Sequence, residues 1–166
     1  NNCNDKNGHG THVAGTVAGK TVGVAKKCKL KAVKILDGQG NGSTQTILDG
    51  MEAIRKNRDP NRFAVVNFSL GGPKTNTIDQ VVNSLKNSGV AVIVAAGNEG
   101  QRACNFSPAS ATGAFSVGAV ENNKDWMNYR STYSNYGSCV DIFSFGDDIN
   151  SAAISCKNMN CLTEET

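Results

Sequence analysis

At 166 residues, 39% hydrophobic and 19% charged, the chain has the size of one domain or part of one, with enough apolar residues to bury a core without metals or crosslinks. Its 17 basic and 14 acidic residues give a net charge of +3 and are spread throughout, so neither a nucleic-acid stripe nor an acidic tail has a case. No apolar run reaches the ~18 residues a membrane helix needs, and Gly at 18 with Pro at 3 fits neither collagen nor Pro-rich disorder.

Residues 10–19 are small (Thr11, Val13, Ala14, Gly15, Val17, Ala18) and predict a helix. Its glycines cost stability relative to Ala, which is tolerable if the helix sits flush against another backbone. Residues 30–36 alternate apolar and basic before ending at Ile35-Leu36, the pattern of a strand. A glycine loop follows over 37–42. Ser43 caps a helix running to about Lys56, with Ile47, Leu48, Met51 and Ile54 on one face. Asp59-Pro60-Asn61 is a turn. Residues 63–70 read as a buried strand closed by Gly71-Gly72-Pro73. Residues 77–88 form a second amphipathic helix, with Ile78, Val81, Val82 and Leu85 inward and Gly89 ending it. Residues 90–96 are an unbroken apolar strand of the kind found inside a parallel sheet. Residues 114–120 and 140–143 are two further short strands. Strands alternating with helices mean crossover connections and a parallel sheet with helices on its faces. In such folds ligands gather beyond the carboxyl ends of the strands. The segments there are 37–42, 69–73, 97–100 and the loop around Cys104.

The six cysteines, Cys3, Cys28, Cys104, Cys139, Cys156 and Cys161, include no C-x-x-C, which disfavours zinc. An even number suits three disulfides and an oxidising compartment, so a secreted or vacuolar protein is expected. Asn41-Gly42-Ser43 and Asn105-Phe106-Ser107 match the glycosylation pattern; Asn67-Phe68-Ser69 also matches, but its place in an apolar strand predicts burial. Two glycine patterns hint at nucleotides. Gly38-Gln39-Gly40-Asn41-Gly42-Ser43 has Ser where a dinucleotide fingerprint wants its third Gly, and Gly15 to Thr21 is one residue short of a phosphate loop and lies at the wrong end of its helix. Both read as structural loops or a substrate groove.

His9 and His12 are the only histidines, and their three-residue spacing is not that of a zinc protease. His9 follows Gly8 and opens the small-residue helix, where it can project from a rim as a general base must. Asn98, in Gly97-Asn98-Glu99-Gly100 after the apolar strand, is either a turn residue or an amide donor aimed from a rigid strand end.

Asn7-Gly8-His9-Gly10-Thr11-His12-Val13-Ala14-Gly15-Thr16 resembles the histidine motif of subtilisin-like serine proteases. Asn67-Phe68-Ser69-Leu70-Gly71-Gly72 and Val94-Ala95-Ala96-Gly97-Asn98-Glu99-Gly100 resemble two more of that family's signatures. Phe106-Ser107-Pro108-Ala109-Ser110 and Tyr133-Ser134-Asn135-Tyr136-Gly137 resemble its proteinase K branch. The motifs stand in family order over essentially the whole chain. Val22 stands where many members have a tyrosine, before Gly23-Val24-Ala25.

The resemblance implies an α/β, three-layer subtilisin-like fold, a mainly parallel sheet flanked by helices and incomplete at both ends, so that residues 1–166 are a partial peptidase catalytic domain. It implies a serine endopeptidase with a Ser-His-Asp triad, in which His9 is general base and then general acid. Asn98 would be the side-chain donor of the oxyanion hole, an interaction whose loss costs ~10²–10³ in turnover in subtilisin itself. Ser69, Leu70 and Gly71 would form one wall of a cleft for an extended peptide, and Gly40, Asn41 and Gly42 the other. Ala95, Ala96 and Gly97 would line a roomy, uncharged pocket. Disulfides Cys104–Cys139 and Cys156–Cys161 are implied, leaving Cys3 and Cys28 to pair by elimination. A structural Ca²⁺ is implied on the carbonyls of Thr112 and Ala114 and the carboxylate of Asp141, although Asp141 also reads as an ordinary strand-end carboxylate. The partners implied are a polypeptide substrate and a propeptide for a monomeric protein, with no nucleic acid and no membrane.

Neither the family's Asp-Thr/Ser-Gly motif nor its Gly-Thr-Ser motif occurs in the sequence, and no G-x-S-x-G does either. The chain starts without Met and stops in a polar stretch, so the expectation is a piece of a longer protein, inactive and poorly stable alone. The alternative is a catalytically inactive relative that binds peptides or proteins. His9 and Asn98 together favour the enzyme, since a binding module needs neither.

Overall fold

The structure, a computed structural model, describes residues 4–121, 129–154 and 162–165. Its elements are α1 (His9–Ala18), α2 (Thr44–Asn57), β1 (Ala64–Phe68), β2 (Gly72–Pro73), α3 (Asn76–Asn87), β3 (Val90–Ala95), β4 (Phe106–Ser107), β5 (Ala114–Val120), β6 (Ile142–Phe145), β7 (Ile149–Ala152) and β8 (Leu162–Glu165). They divide into two compact units, one of residues Asn1–Thr46 with Asp148–Thr166, the other of Ile47–Asp147.

The second unit is built on a sheet of order β1-β3-β5-β6, parallel at every pairing, with Phe68 beside Val94, Val94 beside Ser116 and Val117 beside Ile142. One face buries Val90, Val92 and Val94, and α3 packs on β3 with Ile78, Val82 and Leu85 inward. The same helix buries Asp79, which a reading of apolar spacing passes over. Its carboxylate accepts hydrogen bonds from Ser107 Oγ (2.7 Å) and Ser110 Oγ (2.6 Å), so the buried charge is satisfied and α3 is tied to the β4 segment. β4 in turn pairs antiparallel with β2. On the opposite face of the sheet Val65, Phe115 and Ile142 remain 69%, 45% and 51% exposed. A disulfide joins Cys104 to Cys139, the pair the resemblance implies, and fastens the segment after β3 to the segment before β6.

In the first unit α1 packs on β7, which pairs antiparallel with β8. Small residues make this approach possible. A Cβ on Gly15 would lie 2.4 Å from Ser151 Oγ and 2.9 Å from the Ala152 backbone nitrogen. His12 is buried, its Nε2 is 2.8 Å from the Ile149 carbonyl, and its own carbonyl accepts from Ser151 Oγ at 2.7 Å. His12 is thus a packed histidine that fastens the helix to the strand. At the start of α2, Ser43 Oγ accepts the Thr46 N–H (3.1 Å) while Thr46 Oγ1 accepts the Ser43 N–H (3.0 Å), the reciprocal form of the expected cap.

Three expectations are corrected. Residues 30–36 form no strand: alternation marks a half-buried strand only where a neighbouring strand supplies a ladder, and among the described residues these join no ladder and lie largely exposed. The last sheet strand begins at Ile142 rather than residue 140, because Val140 N–H turns back to the Gly137 carbonyl. Asn67 is exposed rather than buried, since alternation along β1 places it with Val65 on the open face, where its Nδ2 donates to Ser69 Oγ (2.8 Å). Cys28 is exposed and forms no disulfide among the described residues; Cys3, Cys156 and Cys161 lie outside them, as do the pairings that involve them, Cys3–Cys28 included. Among the described residues no helix is long and apolar enough to cross a membrane.

Gly15→Ala should therefore lever α1 away from β7 and cost about 1–3 kcal/mol in urea unfolding, the range for overpacking a close contact. An unchanged unfolding midpoint would contradict the flush packing.

Candidate active site

His9 is the first residue of α1, and the loop before it is organised by Asp5. Gly8 occupies the cap position at φ +111° with no side-chain cap of its own. In its place Asp5 Oδ1 accepts the N–H groups of Asn7 (3.0 Å) and Gly8 (2.9 Å), while Oδ2 accepts the N–H (2.9 Å) and hydroxyl (2.7 Å) of Thr11. Asn7 Oδ1 accepts the His9 N–H at 3.2 Å. Donors left unpaired by the first helical turn are thus satisfied by two side chains from the approach. The Gly8 N–H, then the Thr11 hydroxyl and the other backbone donors, hold the Asp5 carboxyl well below the usual carboxylate range against the opposing effect of burial. A negative charge here also suits the positive end of the helix. Asp5, to which the sequence assigned no role, sets the frame in which His9 sits. The available signal was an acidic residue just before a helix start, obscured by its four-residue distance from His9.

The glycine loop of 37–42 lies beside this frame within the same unit. Asp37 accepts the N–H groups of Gln39 and Asn41 at 2.9 Å each, its own N–H donates to the Asn41 carbonyl (2.8 Å), and these backbone donors, Asn41 first, pull its carboxyl down. Gly40 takes φ +84°, and a Cβ there would lie 3.3 Å from Asn7 Nδ2. The structure therefore brings Gly40 to the asparagine that holds the His9 backbone. Asn41 and Gly42 are exposed on the same loop.

In the second unit, parallel pairing brings two other segments together. Ser69, Leu70 and Gly71 leave β1 beside Ala95, Ala96 and Gly97, which leave β3, because Phe68 is the neighbour of Val94. Ala95 and Gly97 are half-buried, Ala96 is buried, and the Ala96 N–H donates to the Val117 carbonyl at 2.9 Å. Asn98 follows at once and is exposed. A strand end therefore presents an exposed amide, a position that suits a hydrogen-bond donor to a developing negative charge.

The oxygen ligands implied for Ca²⁺ stand at the starts of neighbouring strands. Thr112 precedes β5, Ala114 opens it, and Asp141 immediately precedes β6. Asp141 Oδ2 accepts the Ser116 N–H at 2.7 Å. Among the described residues no group of three or more His, Cys, Asp or Glu side chains gathers as a metal site. One carboxylate with carbonyl oxygens is a different kind of donor set, and its hard oxygens fit Ca²⁺.

A parallel sheet with a helix on its face, a histidine opening a small-residue helix and an asparagine at a strand end define a subtilisin-like α/β protein. The crystal structure of a cold-adapted subtilisin-like serine proteinase matches 91% of this chain with a TM-score of 0.85 and 40% identity, over 53% of the proteinase's own chain. The profile of the Subtilase family matches residues 1–165, and the chain belongs to that family. Among its relatives are a cuticle-degrading serine protease of Arthrobotrys oligospora, 47% identical over 86% of this chain and 34% of the relative, and an extracellular serine proteinase of a Thermus species, 45% identical over 89% and 35%. The chain thus spans about a third of the length of these relatives.

Asp5→Asn should lower stability near pH 6 by about 1 kcal/mol, the scale of a lost helix cap. Because folding lowers the pKa of Asp5, its contribution is complete above about pH 4, the unfolded value, and is lost as pH falls below that range. Urea midpoints of the wild type and Asp5→Asn should converge on acidification; a gap that stays constant would contradict this role.

Proposed function

We propose that this chain is part of the catalytic domain of a secreted serine endopeptidase. Within it His9 takes the proton from a serine hydroxyl and returns it to the leaving amine, and the Asn98 carboxamide donates to the oxyanion of the tetrahedral intermediate. The observation that carries this proposal is the Subtilase family match over residues 1–165, which holds both the histidine motif at the start of α1 and the asparagine motif at the end of β3. The serine and the aspartate of the triad would come from protein outside this sequence, in keeping with relatives of which this chain matches only about a third.

The chain's own residues would then act in separable ways. Ser69, Leu70 and Gly71 offer backbone donors and acceptors to an extended peptide, and Gly40, Asn41 and Gly42 offer theirs. Ala95, Ala96 and Gly97 carry no charge and little bulk, so the side chain preceding the cleaved bond would be apolar or varied. Thr112 and Ala114 through their carbonyls, and Asp141 through its carboxylate, would hold Ca²⁺, which would brace the starts of β5 and β6. Secretion is supported by the Cys104–Cys139 disulfide, which suits an oxidising compartment, and by the extracellular Thermus relative. A propeptide for folding and a monomeric working form belong to the same proposal.

In the full-length protein, Asn98→Ala should lower kcat on a peptide substrate by about 10²–10³ with little change in KM. Wild-type turnover in the variant would contradict the oxyanion role. Chelation of Ca²⁺ should lower the thermal midpoint of the wild type but not of Asp141→Asn; an equal fall in both proteins would remove Asp141 from the site.

A further inference from the structure

The loop of residues 96–101, which carries Asn98, is gripped by a side chain from outside it. Asn135 is 0% exposed. Its Nδ2 donates to the Ala96 carbonyl (2.9 Å) and to Glu99 Oε2 (2.6 Å), and its Oδ1 accepts the N–H groups of Glu99 (3.2 Å) and Gln101 (2.8 Å). A carboxamide has two N–H donors and two acceptor lone pairs. All four are spent on this one loop. The Asn135 backbone N–H adds a bond to the Gly97 carbonyl (2.9 Å), and the Gly100 N–H one to the Tyr133 carbonyl (2.7 Å).

These contacts bracket Asn98. Ala96 and Gly97 lie just before it, Glu99 and Gln101 just after, and the Asn98 side chain takes no part. Few residues could do the same. Aspartate lacks both donors and would set a second carboxylate against Glu99. Glutamine would force an extra methylene into a fully buried position. Gly97 is fitted to the same arrangement: at φ +103°, a Cβ there would lie 2.3 Å from Asn135 Nδ2 and 2.5 Å from Glu99 Oε2.

We propose that Asn135 is the positioning residue of the oxyanion donor, fixing where Asn98 points without itself touching substrate. This rests on the endopeptidase function proposed above. An oxyanion donor works because it is already aimed before charge develops. Loosening both sides of its loop should therefore act on the transition state and spare ground-state binding.

The test is a double-mutant cycle in the full-length protein. Asn98→Ala is measured first: a wild type without turnover would overturn the endopeptidase function, Asn98→Ala at the wild-type kcat would overturn the oxyanion role of Asn98, and either result would overturn this proposal with it. Given that first result, Asn135→Ala should lower kcat by about 10²-fold, the scale of a roughly 1 Å misplacement, with KM little changed. In the Asn98→Ala background the same change should cost no more than about threefold, because residues acting as a unit are not additive. If Asn135→Ala does not accumulate as folded protein, the cycle is run with Asn135→Asp. Adding Glu99→Gln to Asn135→Asp should recover part of kcat, since the glutamine amide can donate where the glutamate accepted. An undiminished Asn135 effect in the Asn98→Ala background, a wild-type kcat in Asn135→Ala, or a loss of KM alone would overturn the proposal.

Discussion

Because β1, β3, β5 and β6 all run parallel, their carboxyl ends face one edge of the sheet, and everything that follows a strand must leave there. That constraint brings Ser69, Leu70 and Gly71 alongside Ala95, Ala96 and Gly97 although some two dozen residues separate them in sequence. It also sets what the departing loops must solve. A loop at a strand end has left the ladder, so its backbone groups need other partners. Here Asn135 supplies them for the loop after β3, and the Cys104–Cys139 disulfide closes the same pair of segments a few residues further on.

The approach to His9 meets the same need by a different route. An α-helix begins with donors that nothing inside it can satisfy. Asp5 and Asn7 take them, and the acid does so at the end of the helix where negative charge is favoured. Behind this opening the helix is made of residues small enough to lie against β7, with Ser151 and Ala152 occupying the space a methyl group on Gly15 would need and His12 bonded to the strand's carbonyl. Of the two histidines, one is thus spent on packing while the other opens the helix. The division matches the chemistry proposed for them.

What could be read beforehand follows from the range of the forces involved. Apolar periodicity and the Gly89 stop are local signals, so they mark β5 at its observed ends and α3 to within a residue. The Ser43 cap was readable for the same reason. Residues 30–36 carry a strand's alternation yet join no strand ladder among the described residues, because a ladder depends on a neighbouring strand the local pattern does not name. The motifs marked His9, Asn98 and the glycine segments. They give no role to Asp5, Asp79 or Asn135, whose worth lies in hydrogen bonds to residues up to 39 positions away. Nor did they show that Asn67 stands on the open side of β1, which depends on which face α3 covers.

The most direct test of the account is covalent labelling of the full-length protein with a fluorophosphonate, a reagent that captures only a serine already activated by a neighbouring base. Stoichiometric labelling of the wild type, lost in His9→Ala, is the predicted result. A folded wild-type protein that takes up no label, or a His9→Ala variant labelled at the wild-type rate, would contradict it.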